Sequence, residues 1–111
     1  MSEENGFVRV CKIADLKEKC GSRFIVDEVE VAIFKVNNEI YALSNICPHQ
    51  HTALIYDGFI EDGCVICPAH GWEFQLHSGY MKSGKKGLDI YPIEIRDDDV
   101  YVKVFKKKYN W

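Results

Sequence analysis

Apolar and polar residues alternate at period two along much of the chain, the signature of strands with one face turned to a core. Phe7-Val8-Arg9-Val10 predicts a first strand and Arg23-Phe24-Ile25-Val26 a second. Residues 29–36 predict a third, with Val29, Val31 and Ile33 on one face. Asn37-Asn38 is a turn signal, after which Glu39-Ile40-Tyr41-Ala42-Leu43 returns as a fourth strand. Shorter strands are predicted near 58–61, 64–66 and 72–75. A glycine-containing loop is predicted at 83–87, then a strand at Tyr91-Pro92-Ile93-Glu94-Ile95. A turn at Asp97-Asp98-Asp99 leads into a last strand from Val100 to Phe105. The one helical expectation is a short turn from Ile13 to Lys19, ended near Gly21.

This pattern predicts an all-β fold. The first and last thirds form one antiparallel β-sandwich scaffold, and the middle third carries a small subdomain at about residues 45–80. The length, 111 residues, fits a single domain, 1–111, with no repeat or linker. Apolar residues make up 47% and charged residues 28%, an ordinary balance for a globular fold, so disorder is expected only at the termini. A net charge of −3 argues against a nucleic-acid partner, which rewards a basic face. No apolar run reaches the roughly 18–20 residues of a membrane span. The polar, acidic start Met1-Ser2-Glu3-Glu4 does not read as a secretory signal, so a cytoplasmic location is expected. In that compartment five cysteines point to metal or redox chemistry before disulfides.

The chemistry concentrates in Cys47-Pro48-His49 and Cys67-Pro68-Ala69-His70-Gly71, with 17 residues between His49 and Cys67. Each motif offers one thiolate and one imidazole on a loop that proline restrains, which lowers the ordering cost of metal binding. Gly71 permits a tight turn or a close backbone approach. Two cysteines and two histidines suit tetrahedral zinc, and a zinc-stabilised interaction module is one reading. Zinc sites of that composition usually pair Cys with Cys and His with His. Here each arm is mixed, which suits a binuclear site with two cysteines on one iron and two histidines on the other.

The two arms, Cys-x-His and Cys-x2-His-Gly, resemble the Rieske signature, and the likeness runs from about Val8 to Phe105. The resemblance implies a [2Fe–2S] cluster, one per chain, with Cys47 and Cys67 on one iron and His49 and His70 on the other. It implies a one-electron carrier rather than an enzyme. Two ferric ions, two sulfides and two thiolates sum to zero charge with neutral imidazoles, so reduction costs less than in an all-cysteine cluster. Respiratory-chain Rieske proteins carry an extra cysteine in each loop, and those positions here are Thr52 and Ala69. They also place hydroxyl donors to the cluster sulfurs where this chain has Trp72 and Phe74. The sequence thus resembles the soluble, low-potential Rieske ferredoxins, which implies an electron-donor reductase and an electron-acceptor oxygenase or related enzyme as partners. The Cys-Pro-His and His-Gly-Trp-x-Phe details are also similar to the small subunit of assimilatory nitrite reductases, the alternative reading.

The remaining candidates receive plainer readings. Cys64 forms a Cys-x-x-Cys pair with Cys67 but alternates with Val65 and Ile66 as a packed strand residue would. Cys11 and Cys20 are expected to be buried or half-buried. His51 is expected at the edge of the site, His77 in solvent and Leu54 beneath the first loop. Trp72 and Phe74 are expected in the core, and Lys106-Lys107-Lys108 in solvent.

Overall fold

The computed structural model describes residues 6–47, 52–69, 71–81, 83–85 and 87–105. Twelve strands are described: β1 (Phe7–Lys12), β2 (Gly21–Val26), β3 (Val29–Val36), β4 (Glu39–Ser44), β5 (Ile46–Cys47), β6 (Thr52–Ala53), β7 (Phe59–Glu61), β8 (Cys64–Ile66), β9 (Glu73–Gln75), β10 (Ile90–Tyr91), β11 (Ile93–Arg96) and β12 (Asp99–Lys103). One sheet has the order β1-β12-β11 and a second β10-β4-β3-β2. The hairpin β5-β6 and the small sheet β7-β8-β9 lie between β4 and β10 in the chain. All strand pairings are antiparallel. Among the described residues no helix is long and apolar enough to cross a membrane.

Four hairpins close on two-residue turns in which both residues have positive φ. These are Asp27-Glu28, Asn37-Asn38, Asp62-Gly63 and Asp97-Asp98. That backbone matches the right-handed twist of the flanking strands, and Asn, Asp and Gly tolerate it best. The chemistry of these turns therefore sets the register on either side, Val26 opposite Val29 and Val36 opposite Glu39.

Three expectations change. The helical turn shrinks to a 3₁₀ turn at Ile13–Asp15. Lys19 then takes a positive φ and donates its N–H to the Lys35 carbonyl, so the segment leaves helical geometry to meet the sheet. The strand read through residues 91–95 divides at Pro92: β10 pairs with β4, whereas β11 pairs with β12. Proline has no N–H to give either ladder, so it fits the corner where the chain changes sheets. The last strand ends at Lys103 rather than Phe105.

Strand β3 is buried on both faces. Val31 and Ile33 pack with Val26, Ala42, Val100 and Val102 between the two scaffold sheets. Ala32 and Phe34 pack on the other side with Leu43, Ile55, Val65, Phe74 and Leu88, together with Cys47 and Cys67. Among the described residues there are thus two cores either side of the central sheet, and Cys47 and Cys67 belong to the second. At that junction a Cβ on Gly21 would run into the Tyr56 carbonyl and stand 2.6 Å from the Phe34 ring. Gly21→Ala is therefore expected to cost about 1–3 kcal/mol, as overpacking does, read as a lower urea midpoint at unchanged m-value.

Candidate metal centre

The first arm leaves the central sheet at the end of β4. Ser44 completes that strand, Asn45 turns the chain, and Ile46–Cys47 pairs with Thr52–Ala53, setting Cys47 opposite Thr52. The second arm is the loop after β8. There the Cys67 N–H donates to the Trp72 carbonyl over 2.8 Å, and the Gly71 N–H donates to the Cys67 carbonyl over 2.9 Å. Gly71 closes this loop at φ 77°, where its missing side chain removes the steric cost.

These two arms bring Cys47 and Cys67 together. Their Sγ atoms are 3.3 Å apart and each residue is 1% exposed. That separation is far beyond the ~2.05 Å of a disulfide. It is within ~0.5 Å of the ~3.8 Å between two thiolates on one tetrahedral metal with bonds of ~2.3 Å. None of the five cysteines, all of them among the described residues, is in a disulfide. His49 and His70 lie outside the described residues, as do His51 and Lys106-Lys107-Lys108.

Cys64 is buried at 2% exposure but does not belong to the core that holds Cys47 and Cys67. Val65 pairs with Phe74 and faces that core, so its neighbour Cys64 takes the opposite face of the strand. Cys11 is buried too, and burial, with Asp15 adding to it, pushes its thiol up to about 11. A thiol so raised stays protonated and unreactive at neutral pH. Cys20 is exposed, contrary to expectation, because it sits in the connection before β2. His77 is exposed as expected. Phe74 is fully buried and Trp72 half-buried, with ring centroids 6.4 Å apart.

Sequence reading passed over Asn45, which is 0% exposed. Its Nδ2 donates to Glu30 Oε1 at 2.9 Å, and its Oδ1 accepts the Tyr56 N–H at 2.7 Å. Its backbone N–H donates to the Glu30 carbonyl, and its carbonyl accepts the Ile55 N–H. The Glu30 carboxylate in turn takes two bonds from the Arg23 guanidinium, 2.9 Å from Nε and 2.6 Å from Nη2. The only signal in the sequence was a lone amide at the end of an apolar strand, two residues before Cys47.

The Arg23 bonds hold the Glu30 carboxyl below the usual glutamate range, against the opposing effect of burial. A depressed carboxylate pKa contributes stability that is present above the unfolded value, about 4.3. It is lost as pH falls through the lower folded value. Glu30→Gln is accordingly expected to flatten the acid limb of stability against pH, measured by urea midpoints from pH 6 down to pH 3.

The family profile described as a Rieske-like [2Fe-2S] domain matches residues 6–103. The chain is 33% identical over 82 residues to the anthranilate 1,2-dioxygenase ferredoxin subunit of Burkholderia cepacia, covering 72% of this chain and 75% of that one. The solved ferredoxin of carbazole 1,9a-dioxygenase from Nocardioides aromaticivorans superposes with a TM-score of 0.80 at 25% identity, over 87% of this chain and 96% of that one. The nitrite reductase [NAD(P)H] small subunit from Erwinia carotovora superposes with a TM-score of 0.78 at 21% identity, over 97% of this chain and 88% of that one.

Proposed function

The chain belongs to the Rieske-like [2Fe–2S] domain family, and on that premise we propose that it is a one-electron carrier, a ferredoxin that passes electrons from a reductase to an oxygenase. One [2Fe–2S] cluster would be held by Cys47 and Cys67 on one iron and by His49 and His70 on the other. The observation that carries this reading is the pair of buried Sγ atoms 3.3 Å apart, presented by two arms that each also hold a histidine. Bound there, the cluster supplies reversible uptake of a single electron near neutral charge.

The chain's own residues do the rest. Cys47 and Cys67, both buried, keep water from the thiolate end of the site. Phe74, Val65 and Leu88 back it with apolar surface, which lowers the local dielectric and so tunes the potential. The loop closed by Cys67, Gly71 and Trp72 fixes the second arm through backbone bonds, which side-chain changes leave in place. The oxygenase assignment rests on the ferredoxin subunit that is 33% identical. The nitrite reductase small subunit, at 21% identity, supports the shared fold alone. The five cysteines outside disulfides suit the reducing cytoplasm, where such an electron chain would run.

The test has two parts. The purified protein is expected to be brown and to hold about two irons and two acid-labile sulfides per chain. Added to a Rieske dioxygenase and its reductase lacking their own ferredoxin, it is expected to restore NADH-dependent product formation. One zinc, no sulfide and no colour would replace this reading with a zinc module. Stoichiometric co-elution with a nitrite reductase large subunit on native gel filtration would replace the oxygenase partner.

A further inference from the structure

We infer that Arg23, Glu30 and Asn45 form a brace that positions the first ligand arm, so that the buried Asn45 amide, tied through Glu30 to Arg23 on edge strand β2, governs how firmly Cys47 is held. The inference rests on the cluster assignment above and extends it to residues outside both motifs.

The donor and acceptor inventory makes the chain directional. A carboxylate only accepts, so the Asn45 amide must turn Nδ2 toward Glu30 and Oδ1 toward the Tyr56 N–H. No flipped orientation satisfies both neighbours. Glu30 has its own direction set by the two bonds from Arg23. Asn45 thereby joins three elements at one buried point: the β3 backbone, the 3₁₀ turn at Ile55–Asp57, and the β5 strand that ends in Cys47. With no regular ladder between β4 and β5, the two side-chain bonds of Asn45 add to its two backbone bonds in fixing the orientation of this corner. Arg23 is 47% exposed and Glu30 21%, so the charged end of the brace is partly wet, whereas Asn45 is dry. The strong leverage is therefore at Asn45, where an unmatched group has no water to turn to.

Asn45→Asp is the decisive variant, because it keeps shape but sets a carboxylate against Glu30. Iron release to a chelator from the reconstituted holoprotein is expected to rise about tenfold, as for loss of a buried bond to a charged group. Adding Glu30→Gln to Asn45→Asp supplies an amide donor for the new carboxylate and should return the rate to within about threefold of wild type. Arg23→Gln alone should raise it by a smaller factor, since water can replace part of an exposed bond.

Amide hydrogen exchange at Tyr56 serves as a second readout that needs no cluster, and Asn45→Ala should abolish its protection. Far-UV circular dichroism identifies any variant that does not fold. Should Asn45→Asp be one of them, Asn45→Ala and Arg23→Gln decide on iron release. Equal lability of the single and double variants, or iron release unchanged in every folded variant, would overturn the brace. Wild-type protein without iron or sulfide would instead overturn the cluster assignment, and Tyr56 exchange would then still decide whether the brace exists.

Discussion

Replacing Cys47 or Cys67 with serine is expected to strip the protein of its iron and sulfide. Both sulfurs are buried and face each other at 3.3 Å, so each is placed to serve the same metal ion. A serine oxygen is harder than a thiolate and far less easily deprotonated, so it poorly replaces a soft ligand. Iron and sulfide analysis should fall from about two of each per chain to near zero, with loss of the visible spectrum. Cys64→Ser is expected to retain both, because Cys64 lies on the far face of β8 and outside the core that holds the pair. Its cost should be confined to stability, about 1 kcal/mol for a hydroxyl in place of a buried thiol. Cluster loss in Cys64→Ser together with retention in Cys67→Ser would reverse the ligand assignment.

The reduction potential is expected near the low end of the Rieske range, roughly −150 to 0 mV out of about −150 to +300 mV. The reason is that Trp72 and Phe74, which follow the second arm, carry no hydroxyl to donate to a cluster sulfur. Fewer donors leave the extra negative charge of the reduced state less stabilised. Phe74 is 0% exposed, and its ring lies against Gly87, where an added Cβ would come within 2.5 Å of Cε1. A hydroxyl introduced by Phe74→Tyr thus enters a dry site and gains only if it finds an acceptor. The variant is expected to raise the potential, measured by voltammetry, while keeping its melting temperature. A wild-type potential near the top of the range, or a less stable variant at unchanged potential, would count against the role given to these two aromatic positions.

Much of the scaffold was legible because its determinants are local. Asn37-Asn38 and Asp97-Asp98 announced their turns through residues that accept positive φ, and the period-two runs around them became β3, β4 and β12. Asp27-Glu28 was less visible, since glutamate is an unusual occupant at φ 71°. The site was half legible. Mixed Cys and His arms at loop spacing named the chemistry, and the family profile over residues 6–103 agrees with it.

By itself, then, the sequence determined the strand alternation, the turn positions and the two mixed Cys and His motifs, all of which depend on a residue and its near neighbours. Tertiary structure decided which faces were covered. It buried Ala32 and Phe34 as fully as Val31 and Ile33, because the subdomain closes over the side of the sheet that a simple sandwich leaves to solvent. It split the strand at Pro92 between two sheets and brought Cys67 Sγ to within 3.3 Å of Cys47 Sγ. It also recruited Asn45 to Glu30 and Tyr56, residues 15 and 11 positions away. Contacts of that kind depend on how separate elements share one buried volume, and the alternation within a single strand carries no record of its partner.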